Sequence, residues 1–144
     1  MAFASFECWS GDEGEPWVRE VEDFIRGFVL GRPNHTFGAW RDQQLIGVAS
    51  FYEKSLGLPL NNPVEVPVWH LEVLGVALDL QGEGIGRDLL ASTLGVMRQL
   101  DVKRRLVTGY VHVENHASHR LCSSAGLEPL TPLDAHYWIY VGPL

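Results

Sequence analysis

The feature that most constrains the fold of this chain is a group of three glycines at alternate positions. An apolar run precedes these glycines, and a long amphipathic pattern follows them. The stretch reads Gln81-Gly82-Glu83-Gly84-Ile85-Gly86-Arg87. Glycines let the backbone turn with successive N–H groups pointing at one anion, and a helix start adds partial positive charge there. Arg87 and the Gln81 side-chain amide offer further donors. The sequence therefore predicts a phosphate-binding turn at residues 81–87.

Two better-known glycine motifs do not fit this turn. A P-loop requires Gly-Lys-Ser/Thr, but no lysine lies between Lys54 and Lys103, which excludes that class of nucleotide hydrolase. In the dinucleotide-binding pattern G-x-G-x-x-G, the third glycine would fall at Arg87 or Leu89. A glycine-rich turn without a ligand stays open as the alternative interpretation.

Strand and helix patterns alternate along the chain and predict a mixed α/β domain. The nearly continuous apolar run at 68–77 is typical of a buried strand. The predicted elements are a helix from Pro16 to Phe28 that stops at Gly31, a hairpin of 36–41 and 45–52 joined by 42–44, a loop over 55–67, a strand over 68–77, a helix over 84–100, a strand over 106–113, a short helix from Asn115 to Gly126 and a last strand over 137–141. The strands at 68–77 and 106–113 are expected to be joined by a right-handed crossover.

Size and composition favour a single globular domain over residues 1–144. The chain has 144 residues, of which 46% are hydrophobic, enough for a packed core. Its 11 Lys and Arg against 18 Asp and Glu give a net charge of -7, which repels phosphate backbones and attracts amines. Nucleic acid is therefore not an expected partner.

Only two cysteines are present, Cys8 and Cys122, and neither a signal peptide nor a membrane-length apolar run is evident. We therefore expect a cytoplasmic protein that does not contact a membrane. The last strand, 137–141, is expected to be exposed and to offer a homodimer edge.

The turn and its surroundings resemble the signature of the GNAT superfamily of N-acetyltransferases. That signature is a strand ending in Val, followed by Arg/Gln-x-x-Gly-x-Gly/Ala at a helix start, and it is matched by Gln81, Gly84 and Gly86. A second family pattern is Asn-x-x-Ala/Ser-x-x-Leu-Tyr-x-x-x-Gly-Phe. It is filled by Asn115, Ser118, Leu121, Gly126 and Leu127, with Cys122 in place of the tyrosine.

The resemblance implies a central mixed sheet of about six to seven strands, flanked by helices, with central strands that splay apart. It also implies an enzyme that transfers an acetyl group from acetyl-CoA to a primary amine of a small molecule or peptide. The implied cofactor-binding residues are Leu74, Val76, Leu78, Gln81, Gly82, Glu83, Gly84, Ile85, Gly86, Arg87 and Asn115.

His70 and Glu72 are the candidate general bases, since an ammonium must lose a proton before its nitrogen can attack a thioester. They lie two apart in the strand, so we expect them to share a face with Leu74 and Val76, opposite Trp69. In the family these two positions commonly hold the base. The alternative is structural: Glu72 pairs with a cation across the sheet, and His70 bonds a backbone carbonyl.

Cys122 is the candidate general acid, because the family's tyrosine is thought to protonate the departing thiolate. A thiol is able to do so, but it is shorter, and Ser118, Ser123 and Tyr137 are possible substitutes. Packing as a small buried hydrophobe is the alternative role for Cys122. The missing tyrosine also leaves a rival function open, a non-catalytic acyl-CoA-binding sensor or interaction domain.

Three further groups of residues indicate a function less specifically. The residues His112, His116, His119 and Cys122 have metal-like spacing, but an exposed polar helix face is the favoured interpretation, and no metal is expected. The aromatic residues proposed to line an amine acceptor pocket are Trp9, Trp17 and Phe24. The acidic residues of 12–23 are expected to be solvated or to gather a polyamine.

Overall fold

The computed structural model describes residues 2–27, 34–58 and 61–144, with six strands in one mixed sheet. The elements in chain order are a 3-10 turn Ala2–Ser5, α1 Pro16–Arg26, β1 His35–Arg41, β2 Gln44–Leu58, β3 Val64–Val76, a 3-10 turn Leu78–Leu80, α2 Ile85–Leu100, β4 Leu106–His112, α3 His116–Ser124, β5 Glu128–Pro132 and β6 Tyr137–Pro143. The strand order across the sheet is β1-β2-β3-β4-β6-β5. None of the helices in the described ranges is long and apolar enough to cross a membrane.

The predicted hairpin is confirmed, with a tighter turn than expected. β1 and β2 pair antiparallel through a two-residue turn at Asp42 and Gln43, whose φ angles are 47° and 66°. Two consecutive positive φ angles are typical of the hairpin turn whose twist matches that of the strands.

The predicted loop over 55–67 is wrong for most of its length. β2 continues to Leu58, β3 begins at Val64, and Ser55 pairs with Pro67. Pro67 is tolerated because β3 pairs with β4 only from Trp69 onward, so one edge of the strand is unpaired at the proline. Pro59 lies outside the described residues.

The first helix forms where predicted but ends earlier. Its last residue is Arg26, and the N–H of Gly27 donates to the Asp23 carbonyl at 3.0 Å. The predicted continuation through Phe28 and the stop at Gly31 lie outside the described residues. The second helix begins at Ile85 after Gly84, as its pattern indicates.

The last strand is not at the edge of the sheet, so the expected homodimer edge at 137–141 is wrong. β5, over Glu128–Pro132, pairs with β6 and forms the edge instead. The sequence carries little sign of β5, because all five residues are exposed and two are prolines. β6 is therefore covered on both sides, by β4 and by β5.

β3 and β4 separate after a short parallel contact. Only three residue pairs join them, the last being Leu71 with Gly109. β3 then continues to Val76 and β4 to His112 without further pairing, so a gap opens between the two central strands. This is the splay that the family resemblance implies.

A β-bulge in β3 lies at the start of this gap. Leu71 pairs with Phe51 and Val73 pairs with Ser50, so Glu72 is an extra residue with no partner in β2. Such an insertion breaks the regular alternation of side chains between the two faces of a sheet.

The bulge changes which residues share a face. Trp69, Leu71 and Leu74 all pack in the core cluster under α2, whereas Val73 packs in the cluster that contains residues of α1. The alternation therefore shifts by one between 71 and 74. The prediction that Leu74 and Val76 share a face with His70 is wrong, because Leu74 has joined the face of Trp69.

Candidate active site

The gap between β3 and β4 holds two adjoining cavities. We call the first the strand cavity; it measures about 350 Å³ and lies between the separated strands, α1 and α3. We call the second the turn cavity; it measures about 290 Å³ and reaches the glycine turn. The residues lining both cavities are Trp17, Val21, Leu74, Asn115, Ser118 and Leu121. The two cavities are therefore adjacent, and we call them together the groove.

The glycine turn presents free backbone donors to the turn cavity. Gly82 and Gly84 both have φ of +86°, and a Cβ at either would meet nothing within 4 Å. The first bond within α2 runs from the Asp88 N–H to the Gly84 carbonyl at 3.1 Å, so the N–H groups of 85–87 have no partner inside the helix. Together with the positive end of the helix, these donors suit an anion.

Two residues that are expected to bind the cofactor donate their hydrogen bonds to other parts of the protein instead. The Gln81 Nε2 donates to the carbonyls of Cys8 at 2.8 Å and Val76 at 3.0 Å, which leaves this amide no proton for a phosphate. The Leu78 N–H donates to the Glu7 carbonyl at 2.9 Å, and its side chain lines a separate surface depression. The structure therefore does not bring Leu78 to the groove, and the Gln81 side chain ties the turn to the N-terminal segment.

The remaining predicted residues of the turn lie at or beside its cavity. Gly82, Ile85 and Gly86 line the turn cavity. Glu83 and Arg87 are exposed neighbours at the start of α2, and their side chains do not line it.

Backbone groups of β3 also face the gap. The Ala77 N–H donates to the Ile46 carbonyl at 2.9 Å, toward β2. Because backbone groups alternate in direction along a strand, those of Val76 and Leu74 point to the opposite edge. The Gln81 bond to the Val76 carbonyl agrees with this direction. The N–H groups of Leu74 and Val76 therefore face the groove.

Glu72 is partly exposed and lines the strand cavity. Its carboxylate accepts a hydrogen bond from Asn34 Nδ2, which also lies 3.5 Å from Ser50 Oγ. No lysine or arginine of the described ranges forms an ion pair with Glu72. Sequence reasoning missed Asn34, because a single polar residue before a strand carries no recognisable pattern.

His70 lies away from the cavity in a closed cluster. Its side chain is 3% exposed, its Nδ1 lies 2.9 Å from Thr108 Oγ1, and its ring packs between Tyr52 and Tyr110. Burial, and secondarily the charge of Lys54, lowers the pKa of His70 to about 4. The imidazole is therefore neutral near pH 7, and the structure does not bring it to the cavity that the neighbouring glutamate lines.

Three of the candidate acids line the strand cavity and one does not. Cys122, Ser118 and Tyr137 line it, whereas Ser123 is exposed elsewhere on α3. Burial raises the pKa of Cys122 to about 11. Burial, followed by the hydrogen bond from the Tyr137 hydroxyl to Glu20, raises the pKa of Tyr137 to about 12. Both groups therefore hold their protons at neutral pH.

Asn115 and the histidines around it have roles inside the fold. The Asn115 side chain accepts the Ser118 N–H at 3.1 Å and caps α3. The His119 ring contacts the Tyr140 hydroxyl and lies 3.0 Å from the His112 carbonyl. Across residues 2–27, 34–58 and 61–144, no group of three or more His, Cys, Asp or Glu could hold a metal ion.

Aromatic rings line much of the strand cavity. The contributing residues are Trp17, Phe24, Tyr110, His112 and Tyr137. Two of the three aromatic residues expected at an acceptor pocket are among them. The third, Trp9, instead donates from its Nε1 to the Asp12 carbonyl at 2.9 Å.

The acidic residues near the N-terminus have two different environments. Glu22 is 6% exposed, accepts the N–H groups of Cys8 and Trp9 at 2.9 Å each, and pairs with Arg26 at 3.3 Å. The expectation that it is solvated is therefore wrong. Glu20 is exposed on α1 and lines the strand cavity.

Comparison with known proteins agrees with this architecture. A model of the acetyltransferase (GNAT) family matches residues 3–127. A search of curated proteins found no match.

Solved structures share the fold over nearly the whole chain. A mutant AtaT toxin bound to the C-terminus of the antitoxin AtaR and acetyl-CoA is 18% identical, covers 98% of this chain and 84% of its own, and has a TM-score of 0.74. AtaT complexed with acetyl-methionyl-tRNAfMet is 18% identical, with coverage of 93% and 84% and a TM-score of 0.68. An acetyltransferase from Thermus thermophilus is 20% identical, with coverage of 99% and 80% and a TM-score of 0.61. At these identities the likeness concerns the fold alone.

Proposed function

The chain belongs to the acetyltransferase (GNAT) family, whose members use acetyl-CoA, and from this premise we propose that it acetylates a primary amine of a small molecule or peptide. The observation that carries the proposal is that the two adjoining cavities extend from the glycine turn to the carboxylate of Glu72. One end of the groove offers main-chain donors, and the other offers a carboxylate among aromatic rings. These are the two chemical environments that acetyl transfer to an amine requires.

The groove fits acetyl-CoA at both the turn and the strand edge. A Cβ at Gly82 or Gly84 would project into open space, so the glycines leave room for a diphosphate beside the free N–H groups of 85–87. The N–H groups of Leu74 and Val76 would hold the amides of the pantetheine arm. When bound, acetyl-CoA supplies the acetyl group as a thioester. Asn115 lines the opposite wall.

Glu72 acts as the general base in this proposal. An ammonium has no lone pair, so Glu72 accepts a proton from the acceptor nitrogen, directly or through water, before the nitrogen–carbon bond forms. Asn34 orients the carboxylate through its hydrogen bond. Since His70 is buried outside the cavity, we assign it to a structural hydrogen bond with Thr108 rather than to proton transfer.

Cys122 remains the candidate proton donor to the sulfur when the carbon–sulfur bond breaks. It lines the strand cavity, but burial raises its pKa to about 11, which makes it a weaker acid than an exposed thiol. We therefore propose that solvent, and not Cys122, protonates the departing CoA thiolate.

A larger acceptor is the alternative that the comparisons raise. AtaT has been solved with acetyl-methionyl-tRNAfMet, and an aminoacyl-tRNA also presents a primary amine. The net charge of -7 favours a cationic small acceptor over a nucleic acid. The expectation that this chain does not bind nucleic acid stays a prediction.

The test is release of free CoA thiol from acetyl-CoA with a panel of amines, peptides and aminoacyl-tRNA, together with calorimetry of CoA binding. We expect micromolar to millimolar CoA binding and turnover on small amines. Turnover on aminoacyl-tRNA alone would replace the proposed acceptor class. CoA binding without turnover on any acceptor would support a non-catalytic sensor instead.

A further inference from the structure

We propose that the acceptor carries two cationic groups, as an aliphatic diamine or polyamine does, and that Glu20 binds the ammonium that is not acetylated. The inference rests on the proposed function, because it concerns the same strand cavity. It assigns Glu20 and Tyr137 as a specificity-determining pair outside the reacting centre.

The charges that line the strand cavity are unbalanced. Its two carboxylates are Glu20 on α1 and Glu72 on β3, and no described lysine or arginine side chain lines it. A cavity lined by one sign of charge concentrates the opposite charge. When Glu72 takes up the proton of the reacting amine, Glu20 still carries its own charge, and a second ammonium on the acceptor neutralises it.

Glu20 is held in place across the cavity. The Tyr137 hydroxyl, on β6, donates to Glu20 Oε2 at 2.8 Å across 117 positions of sequence. The other carboxylate oxygen has no partner among the residues that the structure describes, so it is free to accept from an ammonium. This geometry differs from that of Glu22, whose carboxylate is buried and occupied by protein donors.

The wall beside Glu20 suits a methylene chain that ends in a cation. Trp17 stacks on His112 with ring centroids 4.5 Å apart, and Tyr137 stands perpendicular to His112 at 5.2 Å. Aromatic faces attract ammonium groups and offer apolar surface to the methylenes between them. An acceptor that bears a carboxylate, such as a free amino acid, would find no lysine or arginine in the described lining to neutralise it.

The test compares putrescine with butylamine, which has the same chain length but only one amine. We expect kcat/KM for putrescine to exceed that for butylamine by about two- to fivefold, the range for one added charge pair at an exposed carboxylate. Glu20→Gln should lower that ratio to near one. The matched control Glu13→Gln removes the same charge from an exposed loop residue that lines neither cavity, and it should leave the ratio unchanged.

The outcomes separate this inference from the proposed function. Equal turnover of the two amines, or a ratio that Glu20→Gln does not change, overturns the inference and leaves amine acetylation standing. If neither amine is acetylated, calorimetry of putrescine with the CoA-loaded protein tests whether Glu20 binds a second ammonium. Putrescine binding that Glu20→Gln weakens about two- to fivefold supports the subsite, whereas the absence of binding, or binding that Glu20→Gln does not weaken, overturns it.

Discussion

The turn cavity and the strand cavity adjoin each other and share part of their lining, but their polar groups come from different parts of the chain. The turn cavity depends on backbone N–H groups from one short stretch, Gly82 to Arg87, at the start of α2. The strand cavity is lined by side chains from α1, β3, β4, α3 and β6. A binding site made of contiguous backbone is local in sequence, whereas one made of side chains depends on how distant elements pack.

This contrast predicts that substitutions will separate cofactor binding from catalysis. A change in the turn should act first on CoA affinity. A change in the strand cavity should act on turnover or on acceptor choice with CoA affinity retained.

The largest effect is expected from Glu72→Gln, which removes the base but keeps the size of the side chain. We expect kcat to fall by roughly 10²- to 10⁴-fold, the usual contribution of a positioned base. The CoA dissociation constant should not change, because the donors of the turn are untouched. The measurements are steady-state thiol release and calorimetry.

The control for this change is Glu65→Gln, an exposed glutamate on the same strand. It should retain wild-type kcat. Full activity of Glu72→Gln across the pH range would show that the base lies elsewhere in the groove.

The next largest effect is the pH dependence that His70 gives to the free energy of unfolding. Its pKa is about 4 in the folded protein against an ordinary 6.5, so between these values the unfolded chain binds a proton that the folded chain does not. The contribution of His70 to stability is therefore complete above 6.5 and is lost as the pH falls toward 4. The loss is on the order of 3 kcal/mol.

Denaturant unfolding at about pH 7 and about pH 4.5 measures most of this loss, because the imidazole of the unfolded chain titrates between these two pH values. In His70→Gln the difference between the two free energies of unfolding should shrink, whereas His136→Gln, at an exposed histidine, should leave it as in wild type. An unchanged difference in His70→Gln would contradict the burial argument. A large loss of kcat in a folded His70→Gln would instead return His70 to the chemistry.

A smaller effect is expected at Gly84, where φ is +86°. Gly84→Ala forces an L-residue into the left-handed region, at about 1 to 2 kcal/mol. Distortion of the turn should weaken CoA binding by roughly tenfold. Calorimetry and thermal unfolding measure both effects.

Gly95→Ala is the matched control, because Gly95 lies inside α2 and a Cβ there would meet nothing within 4 Å. It should stabilise the protein by about 0.5 to 1 kcal/mol through helix propensity and leave CoA affinity unchanged. Equal CoA affinity in both variants would remove the turn from the binding site.

The smallest effect on turnover is expected from Cys122→Ala. Since the thiol is a weak acid in its buried position, kcat should change by no more than about threefold. Thiol release with the preferred acceptor measures this change, and circular dichroism checks the fold. A loss of about 100-fold would identify Cys122 as the general acid.

Most of the fold is predictable from local patterns. The apolar spacing of α2, the Asn115 cap of α3 and the run before the glycine turn each indicate their element within a few neighbouring residues. β5 is not predictable in this way, because its residues are exposed and its pairing with β6 supplies the strand geometry. The long β2–β3 ladder likewise overrides the loop-forming tendency of Pro67.

The end of the candidate site that contains Glu72 is only partly predictable from the sequence. Glu72 is recognisable from the sequence as a carboxylate on an apolar strand, but its face depends on the bulge opposite Ser50 and Phe51. Its separation from His70 also required the structure, because regular alternation places the two side by side. Asn34 becomes a partner of Glu72 only through folding, across 38 positions of sequence.

The order of residues along the chain was sufficient to specify the glycine turn, the helix that follows it and the family to which they belong. These features depend on backbone freedom and helix ends, which act over a few consecutive residues. Folding in three dimensions was needed to define the width of the gap, the direction of Glu72 and the pairing of Glu20 with Tyr137. Each of these depends on strand register or on contacts between distant elements, and no local pattern encodes them.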